Sequence, residues 1–480
     1  MDQQVISNVV EEVLRRLASS NAPGSSSAGA STGGRHRAVA PGNDAGLFES
    51  VDAAVDAATH AQQQLAQAGV DVRDGICKLI KRIAQENARE WGRIELEETK
   101  VGRLDHKIAK LELLQNVPGV EFLRTHGTSG DNGIGLDEAA PWGVIGVITP
   151  VTHSIPTLSA NAINMIAAGN SLVVNAHPSG AKCLALAVST YNRAIKAQFD
   201  IDPLICPIDP PTLRSAEEIF AHPGVPLLVA TGGPAVARAA MKQSKRSIVA
   251  GPGNPPVVVD ETADFDNAAR SIIAGAAFDN NLLCIGEKEV FVVESVFDKM
   301  MAAMRRAGAM ELTGEQIVKL TKAAFTWQKD HHAVSKDLIG KDPQVMGKLA
   351  GFDVRPGVEL LFGETGEDNP FVPEEQMMPF VPFVRVRDFD QALELAIKHE
   401  HGFGHTALIH SNNLSNITTM GRAMNTTLFV VNGPCVAALG SGGNGYPSYS
   451  IATPTGEGVT NPMTFTRFRR LSVRGSLRIV

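Results

Sequence analysis

A single cysteine in an apolar segment is the residue of this chain best suited to covalent chemistry. Residues 278–294 read FDNNLLCIGEKEVFVVE, and Cys284 lies just ahead of the strand-like stretch EVFVV. A thiolate is a strong nucleophile that can hold an acyl group as an activated thioester. Because an unperturbed thiol has a pKa of about 8.5, a working site must favour the thiolate or remove its proton as substrate binds. Cys284 is therefore either core sulfur or a catalytic nucleophile.

The other cysteines and the histidines give no metal or disulfide signal. The chain has five cysteines, an odd and scattered set without a CxxC pair, which predicts free thiols in a reducing compartment. The stretch KHEHGFGH spans a helix end, a glycine turn and a strand start, so its histidines would not share one face as metal ligands. We expect no metal. Four cysteines are interpreted as structural, the last of them close to the site by its motif NGPCV: Cys77, Cys183, Cys206 and Cys435.

Composition excludes several classes of protein. With 480 residues the chain is long enough for two or three domains or for one large α/β enzyme. A net charge of −7 argues against nucleic acid as the main partner. No apolar run approaches the roughly 18 residues of a membrane helix, and the start MDQQVISNVVEE lacks a secretory pattern. We therefore expect a soluble cytoplasmic protein without a membrane partner.

The first part of the chain differs from the body. Residues 1–18 carry an apolar stripe with i, i+4 repetition, which predicts an amphipathic helix. Residues 19–44 include SSNAPGSSSAGASTGG, a composition typical of a flexible linker. A short helix on such a tether should gain stability by docking on a partner. Packing on its own domain is disfavoured by the linker, and membrane-surface binding is disfavoured because the polar face is not basic.

From about residue 45 onward, short apolar runs alternate with helical patterns, which predicts an α/β fold with parallel, doubly covered sheets. Ligands should then bind at the carboxyl ends of strands. Two strand-to-helix loops, VVNAHPSGAK and LLVATGGPAVAR, have small residues that let backbone N–H groups approach phosphate. A literal GxGxxG in GSGGNG is followed by YPSY rather than a helix, so we interpret it as a loop. The predicted strands are 142–148, 171–175, 226–230, 255–260, 289–293, 380–386, 405–410 and 427–432.

In order and spacing, these segments resemble the aldehyde dehydrogenase superfamily from about residue 45 to the end. The motifs are GVIGVITPVTHSIP, AAGNSLVVNAHPS, TGGPAVA, GPGNPPVVV, DNNLLCIGEKEVFV, EEQMMPFVPFV and TTLFVVN. Within the superfamily the chain is most similar to the CoA-acylating branch of bacterial microcompartments, the propionaldehyde dehydrogenases of the propanediol-utilisation type. The amphipathic head and linker look like the encapsulation peptide of that group.

The resemblance implies an aldehyde dehydrogenase fold with a Rossmann-like cofactor domain, a catalytic α/β domain and a bridging oligomerisation element. The tail RFRRLSVRGSLRIV alternates arginine with apolar residues, which favours a pairing strand at a subunit contact over a nucleic-acid segment. The implied boundaries are an encapsulation helix at 1–18, a linker at 19–44, an NAD- and CoA-binding domain at 45–248 with a bridging segment at about 126–141, a catalytic domain at 249–436, a return to the cofactor domain at 437–461, and an oligomerisation tail at 462–480.

The resemblance also assigns roles at the family's motif positions. Cys284 matches the nucleophile, which would form a thiohemiacetal with an aldehyde and pass a hydride to a nicotinamide. In TPVTHS, His153 stands where the branch has an asparagine oxyanion donor, so His153 or Thr152 is the candidate donor beside the nucleophile's own N–H. His177 replaces the family lysine, and NAD is favoured with NADP left open. The positions assigned to cofactor binding are Thr149, Pro150, His177, Pro178, Ser179, Thr231, Gly232, Gly233, Gly251 and Glu375, the last matching the glutamate that holds the nicotinamide ribose.

A missing carboxylate predicts the acceptor of the acyl group. Hydrolytic members carry ELGGKSP, whose glutamate activates water, whereas the matching stretch here is SIVAGPGNPP with Val249 or Ala250 at that position. Neither side chain can accept a proton. Water, with a pKa near 15.7, needs such help, and a thiol with a pKa of about 8.5 needs far less. The resemblance therefore implies coenzyme A as cosubstrate, entering after NADH leaves.

Taken together, the resemblance implies oxidation of a short-chain aldehyde, propanal favoured, to acyl-CoA with NAD in the lumen of a microcompartment in the bacterial cytoplasm. It implies shell proteins as partners of residues 1–18 and a homodimer or dimer of dimers. One alternative is acetaldehyde as substrate, the ethanolamine-utilisation version, since one methylene is worth only about 1–3 kcal/mol of discrimination. An alternative of another class is a non-catalytic microcompartment scaffold.

Overall fold

The computed structural model describes residue 43 and residues 45–328 and 331–480. The amphipathic helix predicted at 1–18 lies outside the described residues, and so does the linker at 19–44 apart from residue 43. Two parallel sheets and a small antiparallel sheet organise the described part of the chain. None of its helices has the length and apolarity needed to cross a membrane.

Helices begin at capping side chains where the sequence supplies them. At the start of the first helix the Ser50 side chain accepts a hydrogen bond from the Ala53 N–H, and Thr212 and Ser215 form a capping box at the seventh. The α-helices of the described residues are α1 (Val51–Ala68), α2 (Val70–Glu86), α3 (Ala88–Thr99), α4 (Leu104–Glu112), α5 (Ser154–Ala167), α6 (Ala181–Phe199), α7 (Leu213–Ala221), α8 (Pro234–Met241), α9 (Phe265–Ala276), α10 (Phe297–Arg306), α11 (Gly314–Ala324), α12 (Pro343–Ala350), α13 (Phe389–His399) and α14 (Leu414–Met424).

Most of the central strands are continuous apolar runs, as strands covered on both faces require. The described strands are β1 (His126–Gly130), β2 (Gly133–Pro141), β3 (Val144–Ile148), β4 (Ser171–Asn175), β5 (Ile205–Pro207), β6 (Leu227–Thr231), β7 (Arg246–Ala250), β8 (Pro256–Val259), β9 (Glu289–Val293), β10 (Met310–Glu311), β11 (Phe325–Gln328), β12 (His331–Val334), β13 (Leu361–Thr365), β14 (Phe380–Val386), β15 (Thr406–His410), β16 (Leu428–Val431), β17 (Ile451–Ala452), β18 (Gly458–Val459) and β19 (Thr466–Arg474).

A five-stranded parallel sheet, the cofactor sheet, has the strand order β5-β4-β3-β6-β7. The chain enters at β3, continues outward through β4 and β5, and returns to the other side of β3 with β6 and β7. The strand order therefore reverses between β3 and β6, where Ile148 pairs with Ala230. In doubly wound sheets, ligands bind in the crevice at such a reversal, outside the carboxyl ends of the strands.

A seven-stranded parallel sheet, the catalytic sheet, has the order β10-β13-β14-β9-β8-β15-β16. Strand β9 is fully buried between β14 and β8. Cys284 lies between α9 and this strand, just after a short 3-10 turn at Phe278–Asn281. The centre of the catalytic sheet therefore anchors the segment that carries the predicted nucleophile.

The three-stranded antiparallel sheet has the order β1-β2-β19, so the segment predicted as the bridging element pairs with the C-terminal tail. Its register pairs Thr466 with Pro141 at one end and Arg474 with Gly133 at the other. The pairing strand predicted in the basic tail is therefore confirmed. Large apolar side chains on β19 remain exposed, among them Phe468 at 66%. The role of this sheet in subunit contact stays a prediction.

Strand prediction worked best for long apolar runs. The segments predicted at 171–175, 289–293 and 380–386 coincide with β4, β9 and β14. Strands of two or three residues, such as β5, β10 and β17, were missed because they are too short to show a pattern. Strand β7 runs two residues past the implied boundary at 248, since Val249 and Ala250 still pair with β6.

Candidate active site

A cavity of about 600 Å3 lies where the carboxyl ends of the cofactor sheet face the segment that carries Cys284. Both loops predicted to bind a dinucleotide form part of its wall. The assigned residues that line the cavity are Thr149, Pro150, Thr152, His153, His177, Pro178, Thr231, Gly232, Gly233, Gly251, Cys284 and Glu375. Ser179 is assigned but is not among the lining residues, and its backbone N–H donates to His177 Nδ1 at 3.1 Å.

The end of the cavity at the strand reversal suits a dinucleotide. Gly232 and Gly233 lead from β6 into α8, and nothing lies within 4 Å of the position of a Cβ at Gly233. The space beside Gly233 is therefore open to a phosphate, which the helix dipole favours, although the Gly232 N–H already donates to the Ala250 carbonyl at 3.3 Å and Pro234 has no N–H. Thr149 Oγ1, just after β3, is buried without a hydrogen-bond partner among the described residues. An unpartnered hydroxyl in a cavity wall fits a polar group of a bound cofactor.

His177 lies at the start of the loop after β4, and its ring is neutral. Its Nδ1 accepts the Ser179 N–H, so the neutral imidazole carries its proton on Nε2. Burial lowers the pKa of His177 below its ordinary value of 6.5. The ring can therefore donate a hydrogen bond to a ribose or phosphate oxygen, but it provides no fixed positive charge at neutral pH.

Cys284 forms part of the cavity wall and is half-buried. Burial raises the pKa of its thiol to about 12, the charge of Glu375 adds to the rise, and Lys288 opposes it. The backbone N–H groups of Cys284 and Ile285 also favour the thiolate. At neutral pH the resting side chain is therefore a thiol, and its proton must leave during attack on a substrate.

Three consecutive residues ahead of Cys284 have left-handed backbone conformations. Asp279, Asn280 and Asn281 have φ angles of 50°, 56° and 61°. Residues with a Cβ lose roughly 1–2 kcal/mol each in this region, and Asp and Asn tolerate it best. Lys288 Nζ holds the end of the turn by donating to Asn281 Oδ1 at 2.6 Å and to its carbonyl at 2.8 Å. The turn therefore fixes the path of the chain toward the nucleophile.

A buried lysine on α4 connects this turn to the loop after β3. Lys110 Nζ donates to Asp279 Oδ2 at 2.5 Å and to the Thr152 carbonyl at 3.4 Å. The same Nζ lies 3.1 Å from His153 Nδ1. Burial opposes ionisation of Asp279, but Lys110 and Lys107 outweigh it and lower the pKa of Asp279 to about 2. At neutral pH Asp279 is a buried carboxylate paired with Lys110.

A second buried pair supports the start of α5. Lys107 Nζ lies 3.4 Å from Glu95 Oε1, and both side chains are fully buried. The same carboxylate oxygen accepts the Ser154 backbone N–H at 3.0 Å. Burial lowers the pKa of Lys107, but Glu95 and Asp279 outweigh it and raise that pKa overall. The residue next to His153 is therefore held by a charged group of α3.

His153 is buried in the cavity wall, with 7% of its surface exposed. Burial and then the charge of Lys110 hold its pKa well below 6.5. Its ring is therefore neutral, and its Nδ1 faces the Lys110 ammonium. Thr152, the other candidate donor, also lines the cavity, while its carbonyl is used by Lys110.

The two positions matched to the hydrolytic glutamate differ in their surroundings. Val249 is fully buried in the core cluster beneath the cofactor sheet, whereas Ala250 lines the cavity. The methyl group of Ala250 offers no proton acceptor. Glu375 also lines the cavity, and burial raises its pKa while Lys288 and the Gly253 N–H oppose the rise.

Sequence reasoning missed three charged residues of this site: Lys110, Asp279 and Lys288. The triplet DNN was a usable signal, because Asp and Asn are the side chains that best tolerate left-handed backbone. No comparable signal marked Lys110, since a lysine in a helix is ordinarily solvated. Its burial depends on an opposing carboxylate more than 160 residues later in the chain.

Comparison with known proteins supports the fold of this chain. Residues 44–449 match the model of the aldehyde dehydrogenase family. The chain is 41% identical to the acetaldehyde dehydrogenase (acetylating) EutE of Salmonella typhimurium, with 100% of both chains covered. A solved propionaldehyde dehydrogenase from the fucose utilisation bacterial microcompartment of Clostridium phytofermentans has a TM-score of 0.88 and 40% identity, covering 91% of this chain and 100% of that one.

A second solved structure shows the same fold with ligands. It is the propionaldehyde dehydrogenase of Rhodopseudomonas palustris with bound CoA and an acylated cysteine, with a TM-score of 0.88 and 39% identity over 91% of this chain and 100% of that one. The family model covers most of the sequence, and the similarity extends over the full length of a relative. The resemblance and the fold predicted from the motifs are therefore confirmed: this chain belongs to the aldehyde dehydrogenase family.

Proposed function

We propose that the chain is an NAD-dependent, CoA-acylating aldehyde dehydrogenase that converts a short-chain aldehyde, propanal favoured, to its acyl-CoA. One observation carries the proposal: a single cavity joins Cys284 to the dinucleotide crevice, and Ala250 stands in its wall where hydrolytic relatives have a glutamate. The names of the relatives support it, since one is an acetylating enzyme and another binds CoA beside an acylated cysteine.

The first half-reaction uses Cys284 and the groups around it. Its Sγ attacks the aldehyde carbon as the thiol proton passes to solvent water, the C=O π bond opens, and the new C–S bond belongs to a thiohemiacetal. The backbone N–H of Cys284 and the ring N–H of His153 stabilise negative charge on the former carbonyl oxygen. A nicotinamide dinucleotide, when bound, supplies the acceptor for the hydride that this carbon loses. Thr149, Gly232 and Glu375 are among the cavity residues that would hold it.

The second half-reaction transfers the acyl group to a thiol. The CoA thiolate attacks the thioester carbon, the bond to Cys284 Sγ breaks, and the same donors stabilise the oxyanion. Water competes poorly, because Ala250 cannot remove its proton and water has a pKa near 15.7. The neutral ring of His177 gives no fixed charge for a 2′-phosphate, which favours NAD over NADP.

Assembly and location extend the proposal. The exposed apolar side chains of β19, including Phe468 and Leu471, suit a subunit contact in a homodimer or dimer of dimers. Residues 1–18 would bind shell proteins and place the enzyme in the microcompartment lumen, as the setting of a solved relative suggests.

An NADH-release assay with C2 to C4 aldehydes, with and without CoA, tests the activity and its substrate. We expect CoA-dependent turnover with propanal, whereas higher kcat/KM with acetaldehyde would favour the substrate named for the 41% identical relative. Cys284→Ala should abolish NADH formation, and Cys77→Ala, which changes a buried cysteine absent from the cavity wall, should not. NADH formation by Cys284→Ala at the rate of the unaltered enzyme would overturn the nucleophile assignment, and absence of turnover in every condition would favour a non-catalytic scaffold.

A further inference from the structure

The position of the proton on His153 follows from the hydrogen bonds of its neighbour Lys110. The Lys110 ammonium has three N–H groups, and three acceptors surround it: Asp279 Oδ2, the Thr152 carbonyl and His153 Nδ1. Burial lowers the pKa of Lys110, and the ionised Asp279, whose Oδ2 lies 2.5 Å from Nζ, opposes that fall and favours the ammonium form. An ammonium has no lone pair, so His153 Nδ1 can only accept.

A neutral imidazole whose Nδ1 accepts carries its proton on Nε2. His153 is neutral, the Thr152 carbonyl that accepts from Lys110 also faces its ring, and its Nε2 makes no hydrogen bond within the described part of the chain. His153 lines the same cavity as Cys284, so the unpartnered N–H is available to a ligand there. The charged groups that face this ring are Lys110, Asp279 and Lys107, and the ring of Tyr449 lies 6.0 Å from it.

We propose that Lys110 is a positioning residue that holds His153 as its Nε2–H tautomer, so that the ring donates to the oxygen of the carbonyl attacked by Cys284. Without Lys110 the proton could move to Nδ1, and the ring would then present a lone pair to that oxygen. Asp279 belongs to the turn that leads to Cys284, so one ion pair aligns both the nucleophile segment and the donor. The inference rests on the proposed function, because it assigns Lys110 to the same acyl chemistry.

A double-mutant cycle separates this role from simple structural support. Lys110→Met should lower kcat for propanal, NAD and CoA by roughly tenfold or more, with KM little changed, and His153→Ala should lower it by about 100-fold. His153→Asn provides a side-chain amide, whose N–H can donate to the substrate oxygen with or without Lys110. In that background Lys110→Met should change kcat less than twofold. An equal loss in both backgrounds would overturn the proposal.

A spectroscopic readout is independent of turnover. 15N spectra of full-length protein labelled at histidine should show His153 protonated at Nε2, and Lys110→Met should add the Nδ1–H form. A wild-type ring protonated at Nδ1 would contradict the proposal even if the enzyme is active. Lys110→Met leaves Asp279 unpaired and could prevent folding. In that case the double variant Lys110→Met/Asp279→Asn, which removes both charges, takes the place of Lys110→Met in each comparison. Failure of CoA-dependent turnover would instead refute the proposed function and leave the tautomer result standing.

Discussion

Gly253, in the loop after β7, packs against the backbone of Cys284, and replacing it with alanine perturbs Cys284 without changing its side chain. A Cβ at this position would overlap the Cys284 carbonyl oxygen and lie 3.0 Å from His405 Cγ and 3.2 Å from its Cδ2. Carbon and oxygen ordinarily approach to about 3.3 Å. Backbone and a fully buried ring cannot rotate away, so the segment with Cys284 must shift by several tenths of an ångström or more.

The expected magnitudes follow from that displacement. Overpacking of this kind destabilises a protein by about 1–3 kcal/mol. A displacement approaching 1 Å at a reacting atom lowers kcat by up to about 100-fold, or roughly 2.7 kcal/mol in the activation barrier. Gly253→Ala should therefore fold, melt slightly earlier, and release NADH from propanal much more slowly.

The assay pairs Gly253→Ala with a matched control. Gly314 is the first residue of α11, and nothing lies within 4 Å of a Cβ there, so Gly314→Ala should leave both rate and stability close to wild type. Steady-state NADH release and thermal unfolding of both variants give the comparison. Wild-type kcat in a folded Gly253→Ala protein would refute the packing argument around Cys284.

Three further predictions concern charge and targeting. Because burial raises the pKa of Cys284 to about 12, its alkylation by iodoacetamide without substrates should rise about tenfold per pH unit from 7 to 10, and a plateau below pH 9 would contradict this. Asp279→Asn should lower the unfolding free energy, measured by urea unfolding, by about 3–5 kcal/mol at pH 7. Because the native pKa of Asp279 is about 2, below its ordinary 3.8, this difference from the unaltered protein should persist above about pH 4 and shrink toward pH 2. A difference that does not change with pH would count against the ion pair. Deleting residues 1–18 should leave NADH formation intact and abolish lumen targeting seen by microscopy of a fluorescent fusion, so unchanged targeting would exclude that role.

Much of the fold could be predicted because its strands are continuous apolar runs and its loops carry family motifs. The strand at 289–293 follows from EVFVV alone, whereas the choice of Cys284 as nucleophile over core sulfur depends on the family resemblance. The order of strands in the two sheets could not be derived from such runs, since adjacency depends on long-range pairing. The short strand β5, at an edge of the cofactor sheet, gave no usable pattern.

The site residues that belong to family motifs could be predicted from the sequence. The residues that join the site only through tertiary contacts could not. Cys284 and the two loops were identified from sequence, and the structure places them around one cavity. The choice between Val249 and Ala250 needed the structure, because strand β7 alternates its side chains between core and cavity. The ion pair of Lys110 with Asp279 joins residues of α4 to the turn before Cys284, and no local pattern encodes it.

Product analysis with and without CoA tests the central claim most directly. The unaltered enzyme, given propanal and NAD, should form propanoyl-CoA when CoA is present and stop after about one NADH per subunit when it is absent. Ala250→Glu, which places a carboxylate in the cavity wall, should release propanoate without CoA. Propanoate formed by the unaltered enzyme at the same rate with and without CoA would contradict the account, because Cys284 would then deliver its acyl group to water.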